Sequence, residues 1–452
     1  MNPPDSIEST ADALAAPPAL RGIRGHRVLT EDGLGAARLD FSAERIGAVH
    51  APPSPQPQPA ADGATGDAAG AWLDAGDLLV LPGIVDLHGD AFERAVMPRP
   101  GVSFAYDQAL QDVDRQLLGN GITTEFHGVT LSWEGGLRGA PYAQQMFEAL
   151  ARNADRLGAQ HQVHLRYETH NIDDVALACE WIANGKVQFL ALNNHLPSMA
   201  KRLGDHRKLL QYADRAECDL ETFSARIRAA LDVTDEVPAA MHALMYGARQ
   251  AGLRIASHDD PDEEVRRHYD VLGCGVAEFP LTIEAAQAAR RLGNALVFGA
   301  PNVVRGGSHT HAPNATEMIR AGLCDVLASD YYYPAPLAAA MRIVEEGILP
   351  LAQAWRLVSA NPASAAGLKD RGLLATGLRA DAIVVDDRVP GLPRVCAAIV
   401  GARLCYANRP FPMHGGLATA ASVAAHGKAQ ALSQKNALTR PGARVASAAS
   451  GA

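Results

Sequence analysis

Between residues 83 and 365, short apolar runs alternate with helical stretches eight times, and no other feature narrows the fold as much. The runs are Gly83–Leu87, Thr123–Phe126, Val163–Tyr167, Val187–Leu192, Arg254–Ser257, Gly275–Phe279, Ala295–Phe298 and Asp325–Ala328. Helical patterning falls between or after them at Met146–Leu157, Val237–Gln250, Ile283–Leu292 and Leu337–Glu346. Strands covered on both faces read as continuous apolar runs, and eight of them separated by helices predict an α/β chain closed as a (β/α)8 TIM-like barrel. A doubly wound sheet is the rival. It is disfavoured because no G-x-G-x-x-G or G-x-x-x-x-G-K-[ST] follows any run.

The barrel is expected at 83–368. Short β-type pieces at Arg27–Thr30, Ala37–Phe41 and Arg45–Val49, and others at Gly372–Asp386 and Ala397–Ala402, predict a small β-sandwich domain built from 21–82 plus 369–412. Residues 1–20 read as a disordered arm and 413–452 as a flexible tail rich in Ala, Ser, Gly, Lys and Arg. The chain has 452 residues, enough for a barrel of about 250 residues and a smaller domain.

A net charge of −9 leaves no general basic surface for nucleic acid. An anionic small-molecule substrate would need local arginines or a metal. The six cysteines form no C-x-x-C pair, which predicts reduced thiols in a cytoplasmic protein. The first residues lack a basic start and an apolar stretch, and no run of eighteen apolar residues predicts a membrane span. Assembly into a homo-oligomer is left open.

Reactive groups of barrel enzymes lie at the C-terminal ends of the strands. There the sequence places His88-Gly89-Asp90, His164-Leu165-Arg166-Tyr167-Glu168, Asn193-Asn194-His195, Ser257-His258-Asp259-Asp260, Glu278 and Ser329-Asp330. Imidazoles and carboxylates gathered at one end of an apolar barrel suit one or two divalent ions (Zn, Mn or Fe), with an open position for water. His88, Asp90, Glu168, His195, His258 and Asp330 are the candidate metal ligands, and Asp330 and His258 the candidate catalytic groups. Each has a plain structural alternative: a cap for Asp330, an ion pair with Arg166 for Glu168, a packed core position or substrate contact for His195. The loop Gly299–His309 offers Arg305, Ser308, His309 and flexible backbone amides after the seventh run, where barrels hold phosphate, and Arg99 lies on a second stiff loop. These four are the candidate substrate-binding residues.

At LPGIVDLHGD, MPRPGV, GITT, HLRYE, ASHDD, AEFPLTIEAA, GAPNVVRGGSH, ASDYY and SANPASAAGL the chain resembles the amidohydrolase superfamily. More narrowly, it is similar to the ribose methylphosphonate triphosphate diphosphatases within it. The resemblance implies a barrel flanked by a β-sandwich and the same six residues in or near the ligand set. It further implies attack of a metal-activated water on the α-phosphorus of a 5′-triphosphate with release of pyrophosphate, Asp330 serving as base. Arg305, Ser308, His309 and Arg99 would hold the phosphates. The sequence departs from that pattern with His88-Gly89-Asp90-Ala91 after the first run, Phe126-His127-Gly128 after the second, and the Trp133–Arg138 loop. A hydrolase cleaving a C–N bond of an anionic substrate is therefore the alternative reading, and a non-catalytic metal-carrying scaffold the remote one.

Overall fold

The computed structural model describes residues 18–51, 71–99, 101–307 and 312–414. The first strands are β1 (Leu20–Thr30), β2 (Gly33–Ser42), β3 (Arg45–His50), β4 (Ala71–Asp74) and β5 (Leu79–Pro82). Eight barrel strands follow: β6 (Ile84–Gly89), β7 (Ile122–Leu131), β8 (Gln160–Glu168), β9 (Phe189–Asn193), β10 (Arg254–His258), β11 (Val276–Glu278), β12 (Ala295–Gly299) and β13 (Val326–Ala328). The last are β14 (Ala382–Asp386), β15 (Arg394–Val400), β16 (Arg403–Ala407) and β17 (Met413–His414).

Strands β6 to β13 form one parallel sheet in sequence order. Its two edges meet where Asp330 N–H donates to His88 O at 2.9 Å and Asp90 N–H donates to Asp330 O at 2.8 Å, so the sheet closes. Alternation along each strand decides what faces where. Leu165 and Tyr167 pack outward with the helix layer, whereas Val85, Leu87, Phe126, Phe189, Val276 and Val297 fill the interior. His164, Arg166 and Glu168 alternate with Leu165 and Tyr167 on β8, and at 4% exposure or less all three are buried. All eight expected strands are present.

Both chain ends build the second domain. Its sheet runs β16-β15-β14-β5-β1-β2-β3, and β4 and β5 share the long β1 as partner, one on each side of a register shift between Gly25 and Val28. Ile23, Val28, Leu39, Ile46, Leu73, Val80, Val384 and Ile399 form its core.

One region had no counterpart in the sequence reading. Between β9 and β10 the helices Leu196–Ala200, His206–Arg215 and Leu220–Asp232 form an insert around Leu196, Met199, Leu209, Phe223 and Ile227, with Trp133 packed against it. Two of them start with an aspartate: Asp205 accepts the Lys208 N–H and Asp219 the Thr222 N–H, each a side-chain N-cap. All six cysteines are unpaired, and among the described residues no helix is long and apolar enough to cross a membrane.

Candidate active site

The end of β6 is shaped by an irregularity. Asp86 pairs with Glu125 and Gly89 with His127, so β6 spends one more residue than β7 over this stretch, a bulge. Within it the His88 ring lies among His164, Phe279 and His258, at centroid distances of 5.0, 4.9 and 5.4 Å. Gly89 is required for a local reason: a Cβ there would come 1.8 Å from Glu125 Oε1. Asp259, Phe279 and Asp330 all adopt left-handed backbone, with φ of 58°, 50° and 56°. Non-glycine residues reach that region only when the surroundings compel it, and here all three cluster at one barrel mouth.

Two groups of potential ligand atoms result. His88, His164 and Glu278 bring one atom each within 4.8 Å of one another, and so do His195, His258 and Asp259. In the first group Glu278 Oε2 is 3.2 Å from His88 Nδ1 and 3.7 Å from His164 Nε2. In the second, Asp259 is 3.6 Å from His195 Nε2 and 3.4 Å from His258 Nδ1. Between them Arg166 donates to Asp90 Oδ2 at 2.6 Å, with its other terminal nitrogen 3.3 Å from His258 Nε2. The expected ion pair of Glu168 with Arg166 is not formed. Glu168 instead binds the His195 ring and accepts the His195 N–H at 3.1 Å.

Electrostatics follow from this packing. Burial pushes the Asp90 carboxyl up, but the Arg166 charge prevails and holds it at about 2. Glu168 is likewise about 2, with His195 overcoming burial, and His195 rises to about 9 because Glu168 overcomes its desolvation. Desolvation drops His164 to about 3. Asp330 goes the other way: burial, then the Asp90 charge, lift it to about 6.

The residues suit a divalent ion. Neutral imidazoles and ionised carboxylates are the donors such ions take, and Asp90 Oδ1, His164 Nε2 and Glu278 Oε1 are buried with no hydrogen-bond partner. A cavity of about 250 Å³ opens beside them, lined by His88, Asp90, Arg166, His258, Asp330 and Arg305 among others.

Of the residues singled out from sequence, His88, Asp90, His258, Asp330 and Arg305 therefore meet at this cavity. His195 stands behind His258 and Asp259, in contact with both, and Glu168 behind His195; neither is on the lining. Arg99 is exposed on its loop, its backbone paired with Val102, and does not line the cavity. Ser308 and His309 lie outside the described residues. Sequence reasoning placed His164, Arg166, Asp259 and Glu278 at the strand ends but left them out of the candidate site residues. The signal for the first two was present, since His164, Arg166 and Glu168 are two apart and share one face of a strand.

No protein-family model matches this chain. Comparison with curated proteins finds the α-D-ribose 1-methylphosphonate 5-triphosphate diphosphatase of Escherichia coli K12, 31% identical over 333 residues, which span 70% of this chain and 84% of the relative. Among solved structures, an amidohydrolase superposes with a TM-score of 0.54 at 12% identity, covering 86% of this chain and 99% of its own. The N-isopropylammelide isopropylaminohydrolase of Burkholderia multivorans superposes with a TM-score of 0.56 at 17% identity, covering 87% and 100%. Identity this low between structures shows the shared barrel alone, whereas the sequence match is closer and spans most of both chains. The structural likenesses show that the chain has the barrel fold of the amidohydrolases, and the sequence match establishes that it belongs to the family of the α-D-ribose 1-methylphosphonate 5-triphosphate diphosphatase.

Proposed function

We propose that this hydrolase cleaves the α–β phosphoanhydride of α-D-ribose 1-methylphosphonate 5-triphosphate, or of a close analogue, and releases pyrophosphate. One observation supports this above the rest: two guanidinium groups, Arg166 and Arg305, line the same cavity as the buried Asp330 carboxyl. A polyphosphate brings charges that match Arg305 by paired N–H···O bonds and that the Arg166 charge, already bonded to Asp90, attracts at longer range. A neutral amide would make no use of either charge.

The chain's own groups divide the work. Arg305, at the end of the helix Ala300–Arg305, is placed to bind phosphate oxygens at the rim. Asp330, with a pKa of about 6, is ionised at neutral pH yet basic enough to take a proton from an attacking water. Asp90, fixed by Arg166, keeps its charge throughout. His258 stands between Arg166 and Asp259, where it orients both. A divalent ion (Zn, Mn or Fe) would lie among the ligand atoms at the strand ends and supply Lewis-acid chemistry, polarising the phosphoryl group and making water more acidic.

We assign the enzyme to the cytoplasm on its six unpaired cysteines. The test is phosphorus NMR of metal-loaded protein with the ribose methylphosphonate triphosphate. Growth of a pyrophosphate signal is expected. A flat spectrum, with turnover of an anionic amide, would replace this reading with C–N hydrolysis.

A further inference from the structure

The two groups of ligand atoms are not equivalent, and Arg166 is the reason. In the outer group every ring nitrogen faces a protein charge, although His258 Nδ1, 3.4 Å from Asp259, is buried without a hydrogen bond. His195 has Glu168 on Nδ1 and Asp259 near Nε2, and His258 has Asp259 near Nδ1 and Arg166 on Nε2. Asp259 in turn lies between two imidazoles. In the inner group His164 Nε2, 3.7 Å from Glu278 Oε2, and Glu278 Oε1 are buried with no hydrogen-bond partner, and the same is true of the neighbouring Asp90 Oδ1, 3.6 Å from His88 Nε2. Buried polar atoms without partners are rare in folded chains and mark a missing neighbour.

The position of Arg166 is built into the strands. Gly128, on β7, leaves the space the pair occupies: a Cβ there would come 2.3 Å from Asp90 Oδ1 and 3.1 Å from Arg166 Cδ. The guanidinium is 4% exposed and cannot shed its charge at any working pH. A divalent ion bound between Asp90 and His258 would compete with this fixed cation for both partners, at a separation where like charges repel strongly.

We infer that the centre binds a single divalent ion at the inner group, through His88, His164 and Glu278 with Asp90 beside them, and that the Arg166 guanidinium takes the place of a second ion. His195 and Asp259 then act as positioning residues for His258, not as ligands. This inference rests on the metal-dependent reading above, but not on the choice of substrate.

The experiment counts ions. Chelator-stripped protein is reloaded with Mn²⁺ and desalted, and manganese per chain is measured by mass spectrometry alongside electron paramagnetic resonance. One ion per chain and the six-line signal of an isolated Mn²⁺ are expected. Two ions per chain, or the multiline signal of a coupled pair, would overturn the inference. Arg166→Gln should raise the ratio toward two while Arg166→Lys holds it at one; no change in Arg166→Gln would remove the arginine from the account. Glu278→Gln should lose the ion and His195→Asn keep it, with melting curves confirming that each is folded. If Glu278→Gln does not fold, loss of the ion in His195→Asn alone would overturn the ligand assignment. No substrate enters these measurements, so a flat phosphorus spectrum would leave the ion count standing, and two ions in a pyrophosphate-releasing chain would sink only the count.

Discussion

The buried Asp86 carboxylate accepts the backbone N–H of Ser329, 243 residues away, at 2.9 Å. This bond ties the first barrel strand to the last immediately beneath His88 and Asp330. It therefore belongs both to the closure of the barrel and to the placement of the site. Asp86→Ala would leave the Ser329 N–H buried without an acceptor, at a cost of about 1–3 kcal/mol. Thermal melting should show that loss, and the variant should also lose turnover under conditions where it remains folded.

Gly128→Ala tests the Asp90–Arg166 pair by steric means. The added methyl would stand 2.3 Å from Asp90 Oδ1, so the carboxylate must move. Turnover should fall at least tenfold, the equivalent of about 1.4 kcal/mol in the barrier. Steady-state kinetics at saturating metal, with far-UV circular dichroism as a check on folding, would measure it. Wild-type rates would show that the pair does not matter.

Asp330→Asn keeps the size and the tolerance of left-handed backbone but removes the base. A loss of about 10²–10⁴-fold in kcat is expected, with the melting temperature unchanged or higher, because a buried carboxyl has been neutralised. In the wild type, kcat should fall as the pH drops through about 6, where the Asp330 carboxylate takes up its proton.

Arg305 gives the cleanest separation between substrate classes. Charge-assisted bonds contribute about 1.5–3 kcal/mol each, so Arg305→Ala should lower kcat/KM for a triphosphate by tenfold or more, chiefly through KM. The same variant should hardly change the rate with a neutral amide. Equal losses on both would show that Arg305 supports the fold and not the substrate.

His195 makes a testable contribution to stability in metal-free protein. Its folded pKa of about 9 exceeds the unfolded value near 6.5, so the folded chain binds the proton more tightly. The stabilisation is complete below pH 6.5 and is lost as the pH rises through 9. Urea midpoints of wild type and His195→Asn should differ most at pH 6 and converge by pH 10. A difference that is constant across this range would contradict the charged pair with Glu168.

The barrel was legible because its strands are covered on both faces and so leave unbroken apolar runs. Strand limits were less so. β7 and β8 run to Leu131 and back to Gln160, past His127, Thr130, His161 and Gln162. Two of these polar side chains belong in strands because partners absorb them: His127 bonds His161 at 2.8 Å and His161 bonds Asp114 at 3.1 Å. The insert at 196–232 escaped because its apolar residues cover a local core and show no link to the barrel pattern, although Asp205 and Asp219 mark two helix starts. Reading each strand end alone named three of the six residues in the two ligand groups, His88, His195 and His258. Glu278 and His164 belong to strands that are not neighbours, and only barrel closure reveals that they face each other.

The second domain has a consequence for synthesis. β5 finds its partner β14 only after roughly 300 further residues have left the ribosome, which at about 5–20 residues per second is a delay of about 15–60 s. During that interval β5 presents a free apolar edge, the kind of surface that invites pairing with other chains. The order of the strands along the chain therefore predicts a yield of folded protein that rises with chaperone supply and with slower growth at low temperature.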